Sequence, residues 1–118
     1  MKFLRRGAGP RALEKQVQAD VVRLYETFSC TVTHFSQPRA SMQTPGIPDL
    51  YVQCAKKAVT WWHETKRDGG RMSAEQLAFK AREESCRRVV VVGGVQEAKA
   101  MLQKLGLIAE PTPMEAKR

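Results

Sequence analysis

The sequence contains no run of about 18 consecutive apolar residues, so it has no segment typical of a membrane-spanning helix. Residues 1–6 are basic, but no apolar stretch of signal-peptide length follows them. The three cysteines, Cys30, Cys54 and Cys86, are odd in number and widely spaced, which fits neither a disulfide framework nor a Cys-x-x-Cys metal site. We therefore expect reduced, buried thiols in a protein of a reducing cytoplasm.

Several enzyme motifs are also missing. Gly93 and Gly94 follow a run of valines, but no Gly-x-Gly-x-x-Gly or Walker pattern surrounds them, so we interpret them as a turn. His63 and Glu64 begin a metalloprotease-like pair, yet Arg67 stands where that motif needs its second histidine. No deaminase zinc motif occurs either. These absences exclude the corresponding zinc enzymes.

Acidic residues are few relative to basic ones. The chain has 12 Asp and Glu against 20 Lys and Arg, which gives a net charge of +8. This balance favours a polyanionic partner, and nucleic acid is the leading candidate. The alternative is that the positive charge only keeps the protein soluble. A length of 118 residues suits one domain. We expect a basic flexible arm over residues 1–10, a single domain over 11–108 and a disordered tail over 109–118.

Apolar spacing predicts the elements of the first half. Spacings of three and four predict a helix over residues 11–28. β-Branched and aromatic residues predict a strand over residues 31–35, which contains His34 as a structural residue. Residues 37–48 hold three prolines and a glycine, so they predict a loop. Two strands should then flank Lys56 and Lys57.

The second half predicts a helix, a strand and a helix. Ser73 and Gln76 form a capping box that begins a helix reaching about Ser85. Its expected buried residues are Leu77, Ala78 and Ala81. The valines at 89–92 predict a strand buried on both faces and lying inside the sheet. An amphipathic helix follows, and Gly106 is expected to cap it. These elements predict an α/β fold with a mixed central β-sheet flanked by helices.

Alternation divides the two central strands into two faces. One face carries Asp49, Glu64 and Lys66 together with Tyr51 and Trp62. We expect the two aromatic residues to pack under a covering helix. The opposite face carries Leu50, Val52, Cys54, Val59 and Trp61. An antiparallel register centred on the two lysines places Asp49 opposite Glu64, with Cβ atoms about 4.5–5.5 Å apart. Opposed carboxylates repel, and a divalent cation such as Mg²⁺ compensates for that. Because Lys-Lys is not a favoured two-residue hairpin turn, a longer loop between the strands remains an alternative. A shift of the strand register by one residue would separate the two carboxylates.

Asp, a spacer and Glu-x-Lys form the pattern of the PD-(D/E)xK nuclease superfamily, a short pattern that also recurs by chance. A longer match adds to it. Gly46-Ile47-Pro48-Asp49-Leu50, followed by Glu64-Thr65-Lys66, a glycine-bearing loop and Gln76, resembles the virus-type replication and repair nuclease (VRR-NUC) family over residues 11–107. The resemblance implies a PD-(D/E)xK restriction-endonuclease-like core and a metal-dependent endodeoxyribonuclease.

The resemblance also implies which residues form the site. They are Asp49, Glu64, Lys66, Gln76 and Glu14. Asp49, Glu64 and the backbone carbonyl of Thr65 would bind Mg²⁺ or Mn²⁺, and Lys66 would orient the attacking water or act as a base. Glu14 matches a glutamate that the family carries on its first helix, although a place near a helix start also favours an acid. Gln18 lies on the same helical face, where it can equally be a solvated residue.

Stand-alone VRR-NUC domains of viruses and bacteria are typically homodimers that cut four-way DNA junctions, and this chain looks like that kind. The resemblance therefore implies branched (Holliday junction) DNA as substrate, a homodimer, and the cytoplasm of a bacterial cell or a virus-infected host. Three alternatives stay open. One is an archaeal-type junction resolvase, which the Gly-Ile-Pro segment and Gln76 argue against. The others are a general or restriction-like endonuclease and a non-catalytic binding module with a nuclease fold.

Overall fold

The computed structural model describes residues 10–35 and 44–109. Its elements, in chain order, are α1 (Pro10–Thr27), β1 (Thr31–His34), β2 (Leu50–Cys54), β3 (Val59–Thr65), α2 (Ala74–Ser85), β4 (Val90–Gly93) and α3 (Val95–Lys104). The arm expected over residues 1–9, the tail expected over 110–118 and part of the expected loop, residues 37–43, lie outside the described residues. None of the described helices is long and apolar enough to span a bilayer.

The four strands form one sheet in the order β1-β2-β3-β4. The first three strands are antiparallel to their neighbours, and β4 is parallel to β3. The expected α/β class with a mixed sheet and flanking helices is therefore confirmed. The position of β4 differs from the expectation, because β4 is an edge strand of the described sheet and does not lie inside it. A run of valines indicates that the faces of a strand are covered, but it carries no information on the order of strands.

The register of β2 and β3 is the one predicted from alternation. Leu50 opposes His63 and Cys54 opposes Val59, so Asp49 comes next to Glu64 at the end of the ladder. The connection is the longer loop, residues 55–58, in which the Lys57 N–H donates to the Cys54 carbonyl at 3.2 Å and Ala58 takes a φ of 56°. The carboxylates are thus brought together by the register of two strands.

The two faces of the sheet carry different layers. On one face, α1 and α3 pack over a core that includes Val21, Leu50, Val52, Trp61 and Leu102. On the other face, the Trp62 ring lies 4.8 Å from the Tyr51 ring and meets the Phe79 ring of α2 edge-on at 5.4 Å. The aromatic residues of the acid face thus pack beneath a helix, as expected.

Two expectations about burial were wrong. Helix α2 buries Phe79, whereas Leu77 is 54% exposed and Ala78 and Ala81 are exposed. The large ring that lies over Trp62 sets the rotation of α2, and this long-range contact cannot be read from local spacing. Among the cysteines, Cys30 and Cys54 are buried free thiols, but Cys86, which follows the last residue of α2, is exposed.

Candidate active site

The two carboxylates of the site come from the start of β2 and the end of β3. Asp49 precedes β2, and its Oδ1 accepts the backbone N–H of Thr65 at 3.0 Å. Its Oδ2 accepts a hydrogen bond from the side-chain amide of Gln18 in α1, also at 3.0 Å. Glu64 lies beside it in β3 and is only 5% exposed. Three elements, α1, β2 and β3, therefore converge on the acid pair.

The environment of the pair favours protonated carboxyl groups. Burial raises the pKa of Asp49, although the donors from Thr65 and Gln18 oppose the shift. Burial, and then the negative charge of Asp49, raise the pKa of Glu64 to about 7, whereas Lys66 acts in the opposite direction. A divalent cation between the two groups would remove this repulsion and favour the ionised forms of both.

Lys66 places a cation beside the pair. Its Nζ lies 3.6 Å from Glu64 Oε2, and its side chain is only 14% exposed. Glu14 approaches the same side chain from α1, because Glu14 Oε2 and Lys66 Cδ each lie 3.5 Å from the point that a Cβ on Gly70 would occupy. The tight turn at Gly70, whose N–H donates to the Arg67 carbonyl at 2.8 Å, leaves room for both side chains.

Gln76 joins the site from the first turn of α2. Its Nε2 donates to Glu64 Oε2 at 3.0 Å. Its Oε1 accepts the backbone N–H of Ser73 at 2.8 Å, and its own N–H donates to Ser73 Oγ at 3.1 Å, which completes the capping box predicted from the sequence. The structure thus brings Asp49, Glu64, Lys66, Gln76 and Glu14 together, while their catalytic roles stay predictions.

A solved structure described as "VRR_NUC domain" is similar to this fold. The two share 23% sequence identity and superpose with a TM-score of 0.65 over 76% of this chain and 94% of that one. The chain has the VRR-NUC fold. No family model matches the sequence, and no curated protein matches it. The resemblance read from the motifs is therefore confirmed at the level of the fold.

The Gly-Ile-Pro-Asp segment of the VRR-NUC pattern has a packing role in this structure. Gly46 adopts a φ of +80°, a conformation that side chains disfavour. A Cβ at this position would overlap the backbone carbonyl of Glu75 and lie 2.9 Å from the backbone nitrogen of Gln76. The loop before Asp49 thus rests directly on the backbone of the α2 turn that supplies Gln76.

A buried hydrogen-bonded chain lies on the opposite face of the sheet from Glu64. Trp61 Nε1 donates to Tyr25 Oη at 3.2 Å, and the Tyr25 hydroxyl donates to His63 Nδ1 at 2.7 Å. His63 Nε2 donates to the Gly93 carbonyl at 3.0 Å, which defines its tautomer. Burial lowers the pKa of His63 to about 4, so the ring is neutral. The chain ties β3 to α1 and to the end of β4, immediately beneath the acid pair.

The donors available to a metal suit a hard cation. Within residues 10–35 and 44–109, no group of three or more His, Cys, Asp or Glu side chains is arranged to hold a metal. The protein ligands would therefore be Asp49, Glu64 and the Thr65 carbonyl. Mg²⁺ and Mn²⁺ accept such oxygen sets and complete them with water and phosphate, whereas structural Zn²⁺ sites use four protein ligands, mostly sulfur or nitrogen. The residues present fit Mg²⁺ or Mn²⁺.

Gln18 is the contact that the sequence left undecided. Its side-chain amide lies against Asp49, so it belongs to the site. The signal was its position one helical turn after Glu14, on the same face of α1. His34, by contrast, is exposed on β1 and borders a groove with Lys15, Gln18 and Arg23.

Proposed function

We propose that this chain is a Mg²⁺- or Mn²⁺-dependent endodeoxyribonuclease that hydrolyses phosphodiester bonds and cuts four-way DNA junctions as a homodimer. The observation that supports this most strongly is the acid pair itself. Asp49 and the buried Glu64 meet at the end of one ladder, with Lys66 Nζ 3.6 Å from Glu64. A structural salt bridge would explain why Lys66 lies beside Glu64, but it would not explain the second carboxylate, Asp49.

The residues around the pair fix its geometry. Asp49, Glu64 and the Thr65 carbonyl would hold the cation, which when bound polarises the scissile phosphate, lowers the pKa of bound water and neutralises developing charge. Each carboxylate is oriented by a separate amide, Asp49 by Gln18 and Glu64 by Gln76. Such fixed orientation lets the site bind substrate without reorganisation.

Lys66 supplies positive charge and hydrogen-bond donors. Its ammonium group pairs with the carboxylate of Glu64 at 3.6 Å, and Glu14 Oε2 lies near the aliphatic part of its side chain, beside Gly70. In this setting it would orient the attacking water and stabilise the charge of the transition state, which suits it better than accepting a proton. Arg67 lines a neighbouring cavity together with Lys66 and would supply a second cation for a phosphate of the substrate.

The overall charge supports DNA as the substrate. The net charge is +8, and cationic side chains border the groove that continues from Gln18 along α1, namely Lys15 and Arg23. A duplex arm that leaves the acid pair can therefore follow this groove, with its phosphates near both cations.

The test is cleavage of a labelled synthetic four-way junction, with linear duplex and single-stranded DNA as controls, in Mg²⁺, Mn²⁺ or EDTA. We expect symmetric, metal-dependent cuts at the junction. Glu64→Ala should abolish them, whereas Glu84→Ala, which removes an exposed glutamate paired with Lys80 on α2, should leave the rate unchanged.

Other outcomes would assign a different activity. Cutting of every duplex at similar rates would indicate a general endonuclease. Tight DNA binding without cleavage in either metal would contradict the enzyme and favour a binding module. Calorimetric titration with Mn²⁺ gives an independent readout, because Glu64→Ala should weaken binding of the ion even in the absence of DNA.

A further inference from the structure

The outer edge of β4 is open in the described part of the chain. β4 pairs with β3 on one side, and no described strand lies on its other side. A groove of about 570 Å³ runs along this edge, bordered by the C-terminal part of α2 and by α3. Its floor is formed by the valines at 89–92, of which Val89 is 43% exposed.

The backbone of β4 presents hydrogen-bonding groups to this groove. The Trp62 N–H donates to the Val89 carbonyl at 3.0 Å, and the Lys66 N–H donates to the Gly93 carbonyl at 3.1 Å. Because alternate residues of a strand face the same neighbour, Val89, Val91 and Gly93 direct their polar groups to β3. Val90 and Val92 therefore direct their N–H and C=O groups to the open side.

Within residues 10–35 and 44–109, this edge has none of the usual protection against pairing. Edge strands of soluble proteins normally carry lysine, proline or a bulge, which prevent another strand from adding to the sheet. Residues 89–93 are four valines and a glycine, in register with β3 at every position from Val90 to Gly93. An apolar edge with free backbone groups is a template for strand addition.

We propose that β4 pairs antiparallel with β4 of a second copy of this chain, which joins the two sheets into one continuous sheet of eight strands. The proposal rests on the homodimer of the proposed function and names its interface. The pairing would satisfy the outward groups of Val90 and Val92 in both copies and cover the valines that line the groove.

The charges at the two ends of the groove are complementary under this symmetry. Arg87, which precedes β4, and Lys104 both border the groove. Neither of these two side chains forms an ion pair with a described residue. Glu97 lies at the opposite end, where its carboxylate accepts the Gly94 N–H at 2.8 Å. An antiparallel arrangement places Arg87 of each copy next to Glu97 of the other, so a self-complementary surface results.

The arrangement also has a consequence for the substrate. A two-fold axis perpendicular to the sheet leaves both acid faces on the same side of the dimer. The two β3 strands are then separated by three strand spacings, roughly 14–15 Å. Both acid pairs therefore face a single DNA molecule, as paired cuts in one branched substrate require.

Sedimentation equilibrium without DNA or metal tests the interface. The wild-type protein should have twice the chain mass of 13.3 kDa. Val89→Lys should sediment as one chain, because each copy then carries a charge on the pairing edge. Leu13→Lys is the matched control, since Leu13 is also 43% exposed but lies on α1, and it should stay dimeric. Circular dichroism should show that both variants are folded.

A second variant tests the backbone pairing itself. Val90→Pro removes an outward N–H and leaves the β3 ladder intact, so it should also give a folded single chain. A monomeric wild type, a dimeric Val89→Lys or a monomeric Leu13→Lys would overturn the interface. These masses do not depend on catalysis. A monomer that cuts DNA would contradict the homodimer and its interface but not the nuclease, a dimeric Val89→Lys would contradict the β4 interface but not the homodimer, and a dimer that cuts no DNA would contradict the nuclease alone.

Discussion

Gln76 donates to Glu64 Oε2 at 3.0 Å from its Nε2, while its Oε1 accepts the N–H of Ser73 at 2.8 Å. One side chain therefore closes the capping box of α2 and orients a carboxylate of the acid pair. The capped end of the helix borders the acid pair, so the capping role of Gln76 is compatible with its predicted role in the site.

Ser73→Ala and Gln76→Ala should separate these two roles. Each variant removes part of the capping box and should lower the free energy of unfolding by about 1 kcal/mol. Only Gln76→Ala also releases Glu64, so it alone should slow DNA cleavage. Urea denaturation and single-turnover cleavage of the same samples provide the comparison. Equal cleavage rates in the two variants would contradict a positioning role for Gln76.

Gly46→Ala should damage the site through the backbone of α2. The variant introduces a Cβ that overlaps the Glu75 carbonyl and forces the loop and the first turn of α2 apart. Gly69→Ala is the matched control, because Gly69 has a φ of +81° but nothing within 4 Å of its Cβ position. Gly69→Ala should lower the free energy of unfolding by about 1 kcal/mol, because alanine disfavours the left-handed conformation. Gly46→Ala should lower it by roughly 2 kcal/mol more, because of the overlap with Glu75.

The activity of the same two glycine variants gives a second comparison. Gly46→Ala should reduce cleavage well beyond Gly69→Ala, since displacement of α2 withdraws Gln76 from Glu64. Similar unfolding free energies and similar cleavage rates for the two variants would show that the contact between Gly46 and Glu75 has no role.

The meeting of Asp49 and Glu64 could be predicted from the sequence because a strand register is strongly constrained. A shift by one residue would expose Leu50, Val52 and Trp61 and bury the polar set instead, so the alternation of residue types leaves one acceptable pairing. The capping box of Ser73 and Gln76 was likewise predictable, because all of its hydrogen bonds lie within four residues.

Features that depend on distant contacts could not be predicted in this way. The rotation of α2 follows from the packing of Phe79 on Trp62, two residues far apart in the chain. The position of β4 at the edge depends on strand order, which the four valines do not encode. The contact of Gln18 with Asp49 depends on how α1 packs on the sheet. The helical periodicity of α1 predicted only that Gln18 lies on the same face as Glu14.

Without a divalent cation, stability should fall as the pH rises towards neutrality. The pKa of Glu64 is raised from 4.5 to about 7 by burial and by Asp49, so the protonated form stabilises the fold. The stabilisation by the protonated carboxyl group is fully present below the pKa of Glu64 in the unfolded chain, and it is lost as the pH rises through the pKa of the folded state. Its size is about 1.4 kcal/mol for each unit by which the two pKa values differ. The pKa of Asp49 is raised in the same direction.

Urea denaturation in EDTA between about pH 5 and about pH 8 measures this effect. Glu64→Gln should remove most of the pH dependence, whereas Glu84→Gln, on the exposed face of α2, should retain it. Mn²⁺ at the higher pH should restore the stability of the wild type and have little effect on Glu64→Gln. A pH-independent wild type would contradict the electrostatic description of the pair.

Tyr25→Phe should destabilise the fold far more than the loss of one hydroxyl at the surface. The Tyr25 hydroxyl is the acceptor for Trp61 Nε1 and the donor to His63 Nδ1. Its removal leaves two buried polar groups without partners, each of which costs about 1–3 kcal/mol. We expect a loss of roughly 2–4 kcal/mol in urea denaturation, against less than about 1 kcal/mol for Tyr51→Phe, whose ring keeps its contact with Trp62. A small loss in Tyr25→Phe would mean that other groups pair with the donor Trp61 Nε1 and the acceptor His63 Nδ1 beneath the acid pair.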